Sequence, residues 1–341
     1  MPTIIEDLHI DDYERVVRAT NDDVNLDAII AVHNIALGPA LGGCRFMEYE
    51  NTEEQLNDAL RLAEGMTYKN SICGINHGGG KAVINAKAVN GIKTPELYKA
   101  LGEAVELLGG IYYTAGDVGT TVEDLLHTRS VTEYCGGVKS DSGEPTAVGI
   151  YNAIKATSKF MNSTDSLDGM YISISGIGKV GSKLAKLLIN DNVHLIIADI
   201  DRLALNSLKK EIPCTEVEVT EIHMANCNIF SPCALGNIIN ASTRRQLRCN
   251  AIVGSANNQL DNIETDKWLF ENNIVYAPDY LVNSGGVIAI SAEIYDTLDK
   301  VDEQLEQIND RTMEVLVRSK IENIPTDKVS REIAWNRINN I

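Results

Sequence analysis

Tyr171-Ile172-Ser173-Ile174-Ser175-Gly176-Ile177-Gly178-Lys179-Val180-Gly181 is the stretch of this 341-residue chain whose reading decides the fold. A β-prone apolar run passes directly into G-x-G-x-x-G. The motif alone is weak, because glycines cluster in many turns. Its surroundings strengthen it. Leu184, Leu187 and Leu188 follow at helical spacing. A second apolar run, Val193–Ala198, then ends at Asp199, where such a unit carries its ribose-binding acid. Gly176 allows the tight turn, Gly178 lets a pyrophosphate approach the backbone, and Gly181 allows close helix–sheet packing. Val180 lies in the first turn of the helix that follows, whose N-terminus offers N–H groups and a positive dipole end to phosphates. Asp199 would repel a 2′-phosphate, which favours NAD over NADP, and Arg202 nearby tempers that preference. Lys179 adds a cation beside the pyrophosphate. The competing reading is a plain strand–turn–helix whose glycines serve packing only.

Outward from this unit the second half alternates strands and helices. Residues 148–161 and 179–190 read as helices, and 227–230, 251–253 and 274–276 as short strands. Such alternation implies a parallel sheet. Gly136–Pro145 is rich in turn formers and reads as a hinge. Upstream, residues 1–50 are strand-rich and include the apolar run Ala28–His33. Thr52-Glu53-Glu54-Gln55 is a capping-box pattern opening a helix that carries Tyr68 and Lys69 near its end. Asn76-His77-Gly78-Gly79-Gly80-Lys81 looks like a turn before a short strand at 82–84. A helix over 95–108 and a strand over 111–114 follow, and the tail from about 300 is charged and helical in pattern.

Composition narrows function. Thirty Lys+Arg against 48 Asp+Glu give −18. That excludes the basic face a nucleic-acid partner requires and the attraction an anionic membrane requires. The seven cysteines are scattered with no C-x-x-C, and the six histidines show no ligand spacing, so no metal site is expected. The first residues show no basic stretch followed by an apolar run, so no signal peptide is expected, and no apolar run reaches about 18 residues. Reduced thiols in a cytoplasm are the natural expectation. The length suits two domains.

The acidic balance makes a few cations conspicuous. Lys69 on spacing alone reads as a solvated helix-end charge. Lys81 follows three glycines, but Ile75 and Ala82 break the P-loop pattern around it. Asp117, in Thr114-Ala115-Gly116-Asp117-Val118-Gly119, reads by itself as a turn aspartate.

Taken together, however, these segments resemble the glutamate/leucine/phenylalanine/valine dehydrogenase superfamily. Gly38-Pro39-Ala40-Leu41-Gly42-Gly43-Cys44-Arg45 is similar to its opening signature. Leu62–Asn70 matches the helix of its substrate-binding lysine, Gly78–Lys81 its catalytic lysine, and Asp117-Val118-Gly119-Thr120 its catalytic aspartate. Ser231–Gly236, Gly254–Leu260 and Ala277–Val287 resemble its loops around the nicotinamide and the segment that closes the site. The similarity runs over nearly the whole chain and is strongest to leucine dehydrogenase and its phenylalanine, valine and tryptophan relatives.

The resemblance implies an α/β chain of two domains with an active-site cleft between them. Residues 1–140 would bind substrate and oligomerise, 145–324 would be a Rossmann NAD domain, and a helix at about 325–341 would return to the first. The implied reaction is NAD-linked oxidative deamination of an L-amino acid to a 2-oxo acid and ammonia, and its reverse. Lys69 would bind the α-carboxylate with backbone N–H groups near Gly42 and Gly43, beside Met66. Lys81 would polarise the attacking water, and Asp117 would shuttle protons. A lysine base must be partly neutral, and Lys69 would supply the neighbouring cation that favours this. Leu41, Ala115, Val287 and Ile290 match positions lining the side-chain pocket. All are apolar, which argues against a glutamate substrate, and Ala115 tilts the choice toward branched-chain over aromatic amino acids. Asn257, ahead of Asn258, would orient the nicotinamide amide or the substrate amine. Ile200, Cys233, Ala234, Ala256 and Asn283 join the fingerprint residues as implied cofactor contacts.

Three departures stand out. Gly116 replaces a glutamate usual in leucine dehydrogenases, Lys179 replaces a common asparagine, and the chain ends early, which favours a homodimer over an octamer. The alternatives are a phenylalanine or tryptophan dehydrogenase, and a non-catalytic sensor of NAD or amino acid.

Overall fold

In the computed structural model, which describes residues 2–340, the N-terminal segments alternate in a way that buries both faces of one sheet. β1 (Ile4–Leu8), β2 (Arg15–Asn21) and β3 (Leu26–Asn34) form an antiparallel meander, followed by β4 (Ala40–Met47). Next come α1 (Thr52–Ile72), β5 (Gly78–Asn85), α2 (Pro95–Glu106), β6 (Tyr112–Gly116) and α3 (Val122–Arg129). The strand order is β1-β2-β3-β5-β4-β6, with β4 parallel to both β5 and β6. Because successive side chains point to opposite faces, Ile29 and Ala31 pack with Ala59 and Ala63 of α1. Ile30 and Val32 pack with Leu97 and Leu101 of α2.

Two local expectations are corrected. Asn51, not Thr52, caps α1, and its side chain accepts from the Glu54 N–H at 2.9 Å. An asparagine carbonyl reaches this third N–H well, so the chain enters the helix one residue earlier than the capping box suggests. Gly78-Gly79-Gly80 is strand, not turn. The side chains are missing because neighbours fill their space. A Cβ on Gly79 would lie 2.1 Å from the backbone nitrogen of Thr67 in α1, and one on Gly80 2.7 Å from the Tyr112 ring. Asn70 fastens the same contact by donating to the carbonyls of Leu41 (2.9 Å) and Gly78 (2.6 Å).

The second half begins with α4 (Gly143–Asn162). β7 (Tyr171–Ser175), α5 (Gly181–Leu188), β8 (His194–Ala198), α6 (Arg202–Glu211) and the two-residue β9 (Thr215–Glu216) follow. Then come β10 (Ile229–Pro232), β11 (Ala251–Ile252), α7 (Ile263–Glu271), β12 (Val275–Tyr276), α8 (Asp279–Val282) and α9 (Gly285–Ile294). α10 (Val301–Glu322) and α11 (Thr326–Asn339) end the chain. The strands order as β12-β11-β10-β7-β8-β9, and every pairing is parallel. This is a Rossmann-type sheet whose strand order reverses beside β7, where such sheets bind ligands. α5 starts at Gly181, so Lys179 and Val180 belong to the loop before it.

The chain divides into two compact units, Met1–Ser140 with Ala289–Leu298 and Ala334–Ile341, and Asp141–Ile288 with Asp299–Ile333. Within the first, Glu293 accepts backbone N–H groups from Val138 (3.1 Å), Lys139 (3.1 Å) and Ser140 (2.9 Å). Tyr295 stacks on His77 at 4.8 Å. All seven cysteines carry free thiols. Among the described residues no helix is long and apolar enough to cross a membrane.

One group in the second unit ties stability to pH. Asp266 of α7 is buried, and burial, reinforced by the charge of Asp327, pushes its carboxyl up to about 7. The fold thus favours the protonated acid. Its stabilising effect is complete below the unfolded value near 4 and is lost as pH rises through about 7. We expect the wild-type melting temperature to fall, relative to Asp266→Asn, between those limits. A constant difference between the two proteins over that range would refute the assignment.

Candidate active site

β5 carries Lys81 into the interior of the first unit, where only 6% of its side chain is exposed, and its Nζ lies 2.9 Å from Oδ2 of Asp117. A buried cation requires such a partner. Asp117 follows the end of β6. Its turn is fixed by the Thr120 N–H on the Asp117 carbonyl (3.0 Å) and the Phe46 N–H on the Val118 carbonyl (2.9 Å). Gly43 of β4 leaves the space: a Cβ there would meet the Gly116 carbonyl at 2.4 Å and Asp117 Cβ at 2.9 Å. The β4–β5 ladder pairs Leu41 with Gly79 and resumes at Cys44 with Ala82, passing over Gly42 and Gly43.

Arg45 also reaches Asp117, placing Nε 3.1 Å from the same Oδ2. Its Nη1 is 2.9 Å from Asp58 of α1. Asp58 in turn accepts the Tyr49 hydroxyl at 2.8 Å and Arg61 at 2.7 Å. Burial pushes the Asp117 carboxyl up, but Lys81 and Arg45 outweigh it and hold the group below the usual carboxylate range. The Cys44 thiol next to Arg45 is fully buried, and burial drives it up to about 12.

The other expected substrate residues are placed as follows. Lys69 is half-buried in the last turn of α1, next to the anchored Asn70. Met66 lies across from Gly42, its Cγ 3.2 Å from where a Cβ would stand. Leu41 and Ala115 are buried in β4 and β6. Ile290 is half-buried over Gly136, where a Cβ would come within 2.8 Å of it. Val287 belongs to the second unit and is buried.

The second unit shapes the glycine loop as its sequence requires. Gly176 has φ +92°, and a Cβ on it would strike Ala234 at 2.7 Å. A Cβ on Gly181 would lie 1.9 Å from the Gly176 carbonyl oxygen, whereas one on Gly178 would meet nothing within 4 Å. Val180 caps α5 without a side-chain bond, and the first turn holds no acid. These features fit a dinucleotide pyrophosphate. Asp199 is held by the N–H groups of Ile177 (2.6 Å) and Asp201 (2.8 Å), beside the exposed Ile200. Arg202 pairs with Glu216 and Glu218. Lys179 lies against Asp141 at 2.9 Å and donates to the Ser142 hydroxyl at 3.2 Å, so its charge is already partnered. The Cys233 N–H binds the Ser175 carbonyl (2.7 Å) and the Ala256 N–H the Pro232 carbonyl (2.9 Å). Asn283 donates to the Asn257 side chain at 2.7 Å, which brings those two together.

Family models for "Glu/Leu/Phe/Val dehydrogenase, dimerisation domain" and "Glutamate/Leucine/Phenylalanine/Valine dehydrogenase" match residues 13–134 and 193–339. The chain belongs to this family. It is 41% identical to a phenylalanine dehydrogenase of Thermoactinomyces intermedius, across 96% of this chain and 91% of the relative. It is 40% identical to a leucine dehydrogenase of Bacillus subtilis (strain 168), across 96% and 92%. Its fold superposes on an L-tryptophan dehydrogenase from Nostoc punctiforme with a TM-score of 0.87 and 36% identity, covering 96% of each chain. The protein is therefore an amino acid dehydrogenase, an oxidoreductase acting on CH–NH2 groups with a nicotinamide cofactor. Arg45, Asp58 and Tyr49 were not singled out from sequence. The available signal was a charge directly following the buried, glycine-rich start of β4.

The glycine geometry separates ligand binding from folding. Gly178→Ala should leave the melting temperature within about 1 °C of wild type and weaken dinucleotide binding. Gly181→Ala should lower stability by about 2 kcal/mol or more through overpacking. Equal melting temperatures for the two variants would refute this distinction.

Proposed function

We propose that this enzyme catalyses the reversible oxidative deamination of a branched-chain L-amino acid with NAD and water, yielding the 2-oxo acid, ammonium and NADH. The observation that carries the reading is the buried Lys81–Asp117 pair at 2.9 Å. Lys69 holds the substrate α-carboxylate, assisted by main-chain N–H groups at Gly42 and Gly43. Lys81 polarises the water that attacks the imine carbon. Asp117 passes protons to and from the substrate nitrogen, while both of its cationic partners lie nearest Oδ2. Bound NAD supplies the hydride acceptor for the substrate Cα. Asn257, oriented by Asn283, positions the amide or amine at that step. Choice of NAD over NADP follows from the Asp199 carboxylate and from an Arg202 already engaged by two glutamates.

Branched-chain preference is supported by Leu41, Ala115, Val287 and Ile290, which offer apolar surface and no group to pair a second carboxylate. A phenylalanine preference is the second reading, since the phenylalanine dehydrogenase of Thermoactinomyces intermedius is as similar, at 41%, as the leucine dehydrogenase of Bacillus subtilis (strain 168), at 40%. The free thiols suit a cytoplasmic setting. The dimerisation-domain match suits a homodimer.

NADH absorbance at alkaline pH with a panel of L-amino acids tests this. Leucine, isoleucine and valine should exceed phenylalanine and tryptophan by about tenfold, given 1–3 kcal/mol per methylene of discrimination. The reverse order would support the second reading, and no NADH with any amino acid would leave a binding protein. Lys81→Ala should lower kcat at least about 100-fold with NAD still bound. Near-wild-type turnover in that variant would overturn the role given to Lys81.

A further inference from the structure

We infer that Arg45 is a positioning residue for Asp117, clamped by Asp58 so that the proton-shuttling carboxylate stays ionised. This rests on the shuttle role proposed for Asp117. A lone Lys81–Asp117 pair would be self-contained, each group holding the other. Here two cations converge on one oxygen, Lys81 Nζ at 2.9 Å and Arg45 Nε at 3.1 Å from Oδ2. Oδ2 is the nearer carboxylate oxygen for both cations. Arginine suits the position for two reasons. It does not lose its proton, and its planar fork presents Nε to Asp117 while Nη1 binds Asp58 at 2.9 Å.

Asp58 is fixed from both sides. Its Oδ2 accepts Arg45 and the Tyr49 hydroxyl, and its Oδ1 accepts Arg61. Charges therefore alternate from Lys81 through Asp117, Arg45 and Asp58 to Arg61, with the inner side chains of Arg45 and Asp58 only 15% and 12% exposed. The groups facing Asp117 are Lys81 from β5, Arg45 and Cys44 from β4, and Tyr49 with Asp58 beyond Arg45. The Cys44 thiol and Tyr49 hydroxyl are both shifted up by burial, so neither adds charge near neutral pH. Among the described residues, Arg45 forms an ion pair with Asp117 alongside the lysine that takes part in the chemistry.

Arg45→Met, Arg45→Lys and Asp58→Asn in the full chain test this. Protein labelled with carbon-13 at the aspartate carboxyls, with the Asp117 resonance assigned by its loss in Asp117→Asn, reads the carboxyl titration without turnover. Arg45→Met should raise the Asp117 midpoint by about one pH unit or more, and Arg45→Lys by less. The acid limb of kcat/KM for amino acid oxidation should move up with it, while NADH affinity measured by fluorescence stays unchanged. Asp58→Asn removes an anion together with the clamp, and should move the midpoint by less than Arg45→Met. An Asp117 midpoint and acid limb unmoved by loss of Arg45 would overturn the inference. If Arg45→Met does not fold, Arg45→Lys and Asp58→Asn carry the same two readouts, and no shift in either overturns it equally. A wild-type protein that forms no NADH would count against the deamination reading instead. The carboxyl titration would still decide the hold of Arg45 on Asp117, so the two failures are distinguishable.

Discussion

A lysine ammonium buried in the middle of a sheet has to be compensated within a few ångströms, and the first unit is arranged around that requirement at Lys81. Isolated, such a charge would carry several kcal/mol of desolvation penalty. Asp117 at 2.9 Å supplies the counter-charge. That forces the end of β6 against β4, which forces a bare Gly43, because a Cβ would collide with Gly116 and Asp117. The bare Gly79 and Gly80 then let α1 and the Tyr112 ring close over the same strand. Glycine content and a buried ion pair are here two aspects of one packing problem.

The second unit solves a different problem with the same economy of side chains. Its glycine loop offers backbone and open space, the form that suits an anion. Gly178 leaves open space, α5 presents an uncapped first turn free of acid, and the Asp199 carboxylate braces the loop through the Ile177 N–H. The overall charge of −18 therefore says little about the sites. Positive potential is supplied locally, by Lys81 and Arg45 in one unit and by N–H groups and Lys179 in the other. Asp141 partners Lys179 at 2.9 Å.

The elements themselves were largely readable, since their signals are local. The strand at 171–175 and the helix after the glycines follow from alternation and spacing over a dozen residues. The errors were also local ones resolved by distant neighbours. Gly78-Gly79-Gly80 has the composition of a turn, yet Thr67 and Tyr112 press on it and keep it extended as strand. Thr52 has the pattern of a cap, yet Asn51 before it offers a better-placed acceptor to Glu54. The pair Asn257–Asn283 could be named residue by residue, but not as a contact.

Local backbone preference and the family signatures in the chain were enough to determine the parallel Rossmann-type unit and the mixed first unit, and to single out Lys69, Lys81 and Asp117 as candidates. Only the tertiary structure decided which charges share an oxygen. Arg45 is separated from Asp117 by 72 positions and from Asp58 by 13, on three different elements. Propensity and periodicity act over a few residues of chain, whereas charge compensation acts through space. The pairing of Arg45 with Asp117 appears only when β4, α1 and the end of β6 are packed together.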